Sequence, residues 1–415
     1  MVVNLSSELK AYLPQQIFTL LRDVGVRASK LGQNIFLVGG VVRDLFLNRA
    51  NFDLDVVVEG DAIKLAQKLT EYVQVKTVVH RRFGTAKLSF NDFSLDIATA
   101  RRERYSRPGA LPDVQPGTID GDLVRRDFSI NAMALYLAPG RFGELIDNYH
   151  GRKDIEEHLI RILHANSFID DATRMFRAIR YEQRLGFTIE PHTAELMLRD
   201  LPMIDTISGD RLRHELMLML AEEYPERALR RAGELGVLCR LHASLEGDRW
   251  LNEKFEQARR LEKRGSLEPL YLCLLIYHVS IRENGQLMSR LNFPGKLSQA
   301  ANQTLQLKEK LDFLAKSELK PSDIYQLLHT YVPQAVQVNM LASQSTVVKQ
   351  HLNLYLTKLR YLKPRLNGDD VKELGVPPGH NVGKILAALH KAKLNGEMRT
   401  KQDEEKLVHR WLRDL

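Results

Sequence analysis

Cysteine is scarce in this 415-residue chain: there are two, Cys239 and Cys273, far apart and without metal-ligand spacing. That excludes a disulfide framework and a thiolate metal centre, and it sets the expectation of a reducing, cytoplasmic location. No apolar run approaches the ~18 residues that a membrane-spanning helix needs, so no membrane partner is expected. The first residues, MVVNLSSELKAYLPQQ, lack a basic stretch followed by an apolar core, which argues against a secretory signal. Low-complexity tracts are missing, and so is any repeat of solenoid period. Neither sign of charge dominates: 60 basic residues face 52 acidic ones, for a net charge of +8. The pI of about 9.3 favours a polyanionic partner, although charge alone is weak evidence.

What is present is concentrated in residues 37–58, LVGGVVRDLFLNRANFDLDVVV. A Gly39-Gly40 pair leads into a short helix carrying Arg43, and an apolar run follows with Asp53 and Asp55 two residues apart. Strand side chains alternate faces, so these two carboxylates point the same way. Such a pair repels itself unless a divalent cation lies between its members. Bare backbone N–H groups at a Gly-Gly turn suit a triphosphate. The combination describes a site for Mg²⁺, two ions by the usual chemistry of such pairs, and a nucleotide. Asp96, in FSLDIATARRE, is a third carboxylate candidate for the same metals, with a surface acid at a strand end as the equal alternative.

Short strands are expected at 34–38, 53–58, 75–79, 85–90 and 93–99, with helices at 5–30, 41–48 and 61–71. The Pro-, Gly- and charge-rich stretch 101–122 reads as a flexible loop inside a compact region, and 125–137 reads as a helix start and an apolar helix. Beyond about 145, helical periodicity dominates. Helices are expected at 152–163, 170–185, 192–200, 210–222 and 225–236. Through the tail they are expected at 252–263, 267–281, 296–315, 321–330, 333–342, 346–362, 367–374, 381–394 and 400–413. The fold class is therefore an α+β head with a small mixed sheet, followed by a long all-α neck, body and tail. The expected divisions are 1–145, 146–205, 206–320 and 321–415.

Two further motifs carry chemistry. In LVRRDFSINAMA (123–134), Arg125 and Arg126 precede Asp127 and Asn131. One arginine can fork onto a phosphate, and Asn131 can hold a sugar hydroxyl. A basic first turn capped by Asp127 explains Asp127 but not the paired arginines. In DDATRMFRAIRYEQRLGF (170–187), Asp171, Arg174, Arg177 and Arg180 recur every three residues, with Asp171 and Arg174 as neighbours on one helix. A carboxylate beside a guanidinium accepts from an exocyclic amino group and donates to a ring nitrogen. Cytosine and adenine offer that pair, whereas uracil and guanine place a carbonyl against the carboxylate. An intrahelical salt bridge with solvated arginines is the plain alternative for an isolated run.

In this order and spacing the motifs resemble the bacterial class II tRNA nucleotidyltransferases, the CCA-adding enzymes, and their relatives the poly(A) polymerases. LVGGVVRD…DLD resembles motif A, RRDFSINAMA motif B, IDNYHGRKDIEEHLIR (146–161) motif C, DDATRMFRAIR motif D and SGDRLRHEL (208–216) motif E. The resemblance is dense over 35–220 and weaker over 366–389. It implies that Asp53 and Asp55 bind the metals and that Gly40, Arg43 and Arg126 contact the nucleotide. It further implies that Asp171 and Arg174 read the base, with Arg177 and Arg180 near the triphosphate. Arg211 and Glu215 would brace the reading helix. Asp170 departs from the family's Glu at that position. GHNVGKI (379–385) resembles a Walker loop but is one residue short and ends in Ile, so it is read as a helix cap. His278 lacks the following Asp of a phosphohydrolase module.

The expected activity is addition of CCA, from CTP and ATP, to the 3′ end of tRNA by two-metal nucleotidyl transfer without a nucleic-acid template. The helical extension would grip RNA through shape and phosphates. An enzyme adding only A is the alternative. One adding only CC is disfavoured by the intact 101–122 stretch, and a poly(A) polymerase by RRFGTAKLSF (81–90). A catalytically dead RNA-binding relative would be expected to lose one of the paired carboxylates. Nothing in the sequence fixes an oligomeric state.

Overall fold

The computed structural model describes residues 3–71, 75–90, 92–110, 112–261 and 266–413. The chain divides into two compact units, one of residues 1–222 with 231–241 and one of 223–230 with 242–415. The expected divisions near 145 and 205 fall inside the first unit, and that near 320 inside the second.

The first unit begins with α1 (Ser6–Tyr12), α2 (Gln15–Lys30), β1 (Asn34–Val38), α3 (Gly40–Phe46), β2 (Asp53–Glu59), α4 (Ala62–Thr70), β3 (Lys76–His80), β4 (Thr85–Ser89) and β5 (Ser94–Thr99). There follow β6 (Arg101–Arg104), β7 (Asp113–Pro116), α5 (Ile119–Val124), β8 (Ala134–Tyr136), β9 (Leu145–Ile146), α6 (Gly151–Glu156) and β10 (Leu159–Ile160). Helix α7 (Ser167–Asp170), α8 (Thr173–Leu185), β11 (Thr188–Ile189), α9 (Pro191–Asp200) and α10 (Gly209–Leu220) complete the part that builds the site.

Seven strands form one mixed sheet in the order β3-β4-β5-β2-β1-β8-β9. Its β2–β5 pair is parallel, which pairs Asp55 with Asp96, and β1–β2 is antiparallel, which pairs Val38 with Asp55. Alternation along β2 sends Leu54, Val56 and Val58 into the core, while Asp53, Asp55 and Val57 share the opposite face. On that face Val57 packs with Phe36, Val38, Ala134 and the α5 residues Ile119 and Leu123, so α5 closes one end of it and leaves Asp53 and Asp55 uncovered.

Three expectations are corrected. Residues 101–122 are not an irregular loop: β6 and β7 pair antiparallel as a hairpin, and α5 begins at Ile119. Residues 125–137 are not an apolar helix: a 3-10 turn at Ser129–Asn131 leads into β8, which pairs with β1. Residues 152–163 do not stay helical: α6 ends at Glu156, and β10 pairs in parallel with β11. In the last two, a short apolar run fits a buried strand as well as a helix, and pairing with a distant strand decides.

The second unit is helical. Leu307, Leu328, Val336 and Leu352 centre one of its cores, and Val371, Ile385, Leu389 and Val408 another. Glu404, 1% exposed, ties the latter by accepting from the backbone N–H groups of Arg365 and Leu366 and from Lys393 Nζ at 2.8–2.9 Å. A helix at Ile281–Arg290 with a Ser280–Glu283 capping box was not expected from periodicity. Gly379, at φ 108°, precedes the helix His380–Leu394, so the Walker-like stretch is a helix start. Among the described residues no helix is long and apolar enough to cross a membrane.

Candidate active site

Strand β1 delivers the chain to Gly39, whose φ of 76° favours glycine. A Cβ there would lie 3.1 Å from Arg126 Nη1 and 3.4 Å from Asp55 Oδ2, so the turn also gives both groups room. Asp55 keeps solvent contact through the cleft mouth, but protein surrounds most of its carboxyl. That desolvation, with Asp53 and Asp96 adding repulsion and Arg126 opposing it, pushes the carboxyl up to about 6. Asp53 is exposed and accepts from Ser94 Oγ at 3.3 Å. Asp96 lies across from Asp55 and pairs with Lys87 Nζ at 2.8 Å.

These oxygens fit a hard cation. Among the described residues no group of three or more His, Cys, Asp or Glu side chains converges as a closed cage. Mg²⁺ is commonly held by one or two carboxylates, with substrate phosphates completing its shell, and an open Asp53/Asp55 pair with one carboxyl held up chiefly by burial, and further by its acidic neighbours, suits that mode.

The next wall is built around Asp122, whose side chain is fully buried. It accepts from Arg125 Nη2 at 2.5 Å and from Arg126 Nη2 at 3.0 Å, so α5 aims both arginines. Glu103 of β6 accepts from Arg125, Arg101 and Tyr105 at 3.0–3.2 Å. Burial and the Glu103 charge push the Tyr105 phenol up.

Helix α8 forms the facing wall. Asp171 lies just before it and accepts from Thr173 N and Oγ1, at 3.0 and 2.7 Å, and from Arg211 Nη2 at 2.6 Å. Arg174 donates to Ser167 Oγ at 2.6 Å and to the Arg125 carbonyl at 2.7 Å. Asp171 and Arg174 therefore both line the cleft without bonding to each other, so the plain alternative of an intrahelical salt bridge between them does not hold. Arg177 grips Asp127 Oδ2 at 2.5 and 2.9 Å. Burial opposes charge on Asp127, but Arg177 and Asn131 outweigh it and hold the carboxyl below its usual range. Asn131 Nδ2 donates to Asp127, and Asn131 Oδ1 accepts from Arg43 Nη1 at 2.8 Å. Arg43 is 6% exposed and pairs with Asp44 at 2.9 Å. Arg180 lies 3.7 Å from Glu215 Oε2, and burial pushes the Glu215 carboxyl up.

The walls enclose a cleft of about 870 Å³. Of the residues singled out from sequence, Gly39, Gly40, Asp55, Asp96, Arg125, Arg126, Asp127, Asn131, Asp171, Arg174, Arg177, Arg211 and Glu215 line it. Asp53, Arg43 and Arg180 lie outside that lining. Asp170 sits to one side, 3.9 Å from His164. Sequence reasoning missed Asp122, Glu103, Tyr105 and Tyr181. Asp122 stands three and four residues before the paired arginines, a spacing that marks it as their partner on a helix.

The poly A polymerase head domain matches residues 35–161, and the probable RNA and SrmB-binding site of polymerase A matches 186–246. An A-adding tRNA nucleotidyltransferase of Halalkalibacterium halodurans is 34% identical, over 96% of this chain and 94% of that protein. The chain belongs to the tRNA nucleotidyltransferase family. The family's A-adding member from Geobacter sulfurreducens is 35% identical over 97% of the chain, which spans about half (48%) of that protein's length. A solved CCA-adding enzyme in an apo form superposes with a TM-score of 0.85 at 30% identity, over the whole of both chains.

Proposed function

We propose that this chain extends the 3′ end of tRNA by nucleotidyl transfer without a nucleic-acid template, adding the terminal A to a CC end. The observation that carries nucleotidyl transfer is that one cleft is lined by Asp55 on the sheet wall and by Asp171 and Arg174 on the α8 wall. The acid of a metal site and the groups suited to reading a base thus serve one bound nucleotide. The A-adding relatives at 34–35% identity favour the terminal A. Two Mg²⁺, held by Asp53 and Asp55 with Asp96 alongside, would activate the RNA 3′-hydroxyl and stabilise the leaving pyrophosphate.

The protein's own groups bind and orient. Gly39 leaves the backbone bare beside Arg126, whose guanidinium is fixed by Asp122 to meet a phosphate. Asn131, fixed by Asp127 and Arg43, offers its amide to a ribose hydroxyl. Asp171 is held by Thr173 and Arg211 but keeps one acceptor position, on Oδ2, for an exocyclic amino group. Arg174, with Nη1 on Ser167 and Nη2 on Arg125, keeps Nε–H and one Nη2–H. Both groups are thus restrained before a base arrives, and this restraint supports selection by positioning.

Complete CCA addition is the second reading, supported by the CCA-adding enzyme that superposes over both whole chains. The test offers tRNA transcripts ending at the discriminator base, at C and at CC, each with one labelled NTP. ATP use confined to the CC-ended transcript is expected. CTP use on the first two establishes complete addition, and no incorporation on any of the three overturns the proposed function.

A further inference from the structure

Resting on the nucleotide-site reading above, we propose that Tyr181 is a substrate-positioning residue whose hydroxyl donates to the β- or γ-phosphate of the incoming nucleotide. Tyr181 lines the cleft on the same stripe of α8 as Arg174 and Arg177, at i+7 and i+4 from them. Its ring is clamped. Phe128 meets it edge-on at 5.8 Å, and the guanidinium carbons of Arg43 and Arg177 lie 5.3 and 5.8 Å from its centroid. A side chain fixed this firmly points its hydroxyl in one direction, at little entropic cost on binding.

The hydroxyl makes no hydrogen bond with the described residues. That sets it apart from the arginines around it. Arg177 is engaged by Asp127, Arg43 by Asp44, and Arg184 by Glu222. Arg180 faces Glu215 and Glu222 at 3.7 and 3.6 Å. Arg177, Arg43 and Arg184 are thus occupied by a carboxylate, and Arg180, although its Nε and Nη1 make no hydrogen bond among the described residues, faces two carboxylates; the phenol is a donor with neither. The Arg177 guanidinium lies beside the Tyr181 ring and Arg174 lines the same cleft, so an anion meeting the hydroxyl also lies in their field.

Position selects the phosphate end. Tyr181 is eight residues beyond Thr173, the first residue of α8, roughly 12 Å along the helix at 1.5 Å per residue, and Asp171 lies before that first turn. A nucleotide whose base meets Asp171 reaches that distance past its ribose, with its polyphosphate.

The test is Tyr181→Phe, which keeps the ring and its clamp. Inhibition of nucleotide incorporation is measured with pyrophosphate and, separately, with AMP. The variant is expected to melt at the wild-type temperature and to bind pyrophosphate about 5- to 10-fold more weakly, the loss of one hydrogen bond. KM for the triphosphate should rise to match, with kcat and AMP inhibition within about twofold. Unchanged pyrophosphate inhibition overturns the proposal, and so does equal weakening for AMP, which would place the hydroxyl at the ribose or base. A wild-type protein that incorporates no nucleotide fails the function itself, a different result from either.

Discussion

Removing the Asp122 carboxylate should destabilise the first unit and disarm the cleft together. The side chain is fully buried and holds two guanidiniums, Arg125 at 2.5 Å and Arg126 at 3.0 Å. Deleting one partner of a buried ion pair costs about 3–5 kcal/mol, because the remaining charge is left desolvated. Two features bring Asp122→Ala to the lower end. Arg125 keeps Glu103 at 3.2 Å, and the two arginine side chains are 19% and 16% exposed and can turn toward water. The expected loss is therefore about 3 kcal/mol. For a unit of this size that lowers the melting temperature by roughly 6–12 °C, read by circular dichroism. Asp122→Asn retains one acceptor and should lose about half as much. Arg126 would also lose its hold beside Gly39, so incorporation should fall in both variants in the same order. A shift under about 2 °C for Asp122→Ala refutes the reasoning that the two arginines depend on this carboxylate.

In the metal-free protein, the folded state keeps Asp55 protonated up to about 6, whereas the unfolded chain releases that proton near 3.8. The folded state binds the extra proton, so stability should decline as pH rises from about 4 to 6 and then level off. Asp55→Asn should flatten that decline, and matching wild-type and variant profiles would contradict it. In the second unit, Glu404→Ala removes the acceptor for two backbone N–H groups and Lys393. A loss of about 3 kcal/mol is expected by denaturant melting, with nucleotide binding in the first unit unchanged. Asp171→Ala should lose preference among the four NTPs on CC-ended tRNA, and retained preference would remove Asp171 from base reading.

Much of the head was readable because its signals are local. The DLD alternation, the Gly39-Gly40 pair and the apolar runs of β1, β2, β4 and β5 each report on their own few residues. Ala134–Tyr136 misled because its partner, Phe36–Val38, lies about a hundred residues earlier, and the run alone fits a buried helix equally well. The β6–β7 hairpin was hidden by its Pro, Gly and charge content. Its exposed strands bury little and are anchored instead through Glu103 to Arg125. In the site, spacing along the chain placed Asp171 beside Arg174. The structure gives each a different partner, because Arg211 comes from α10 and the Arg125 carbonyl from the end of α5. Tertiary partners of that kind leave no periodic trace.

The most direct test is made on one variant, Asp53→Ala, with two readouts: labelled ATP incorporation into CC-ended tRNA, and tRNA affinity in the same buffer. Incorporation should vanish while affinity stays within about twofold, since Asp53 is an exposed carboxylate on the same strand face as Asp55 and no part of the core. Incorporation at the wild-type rate would contradict the assignment of this acid pair to the chemistry.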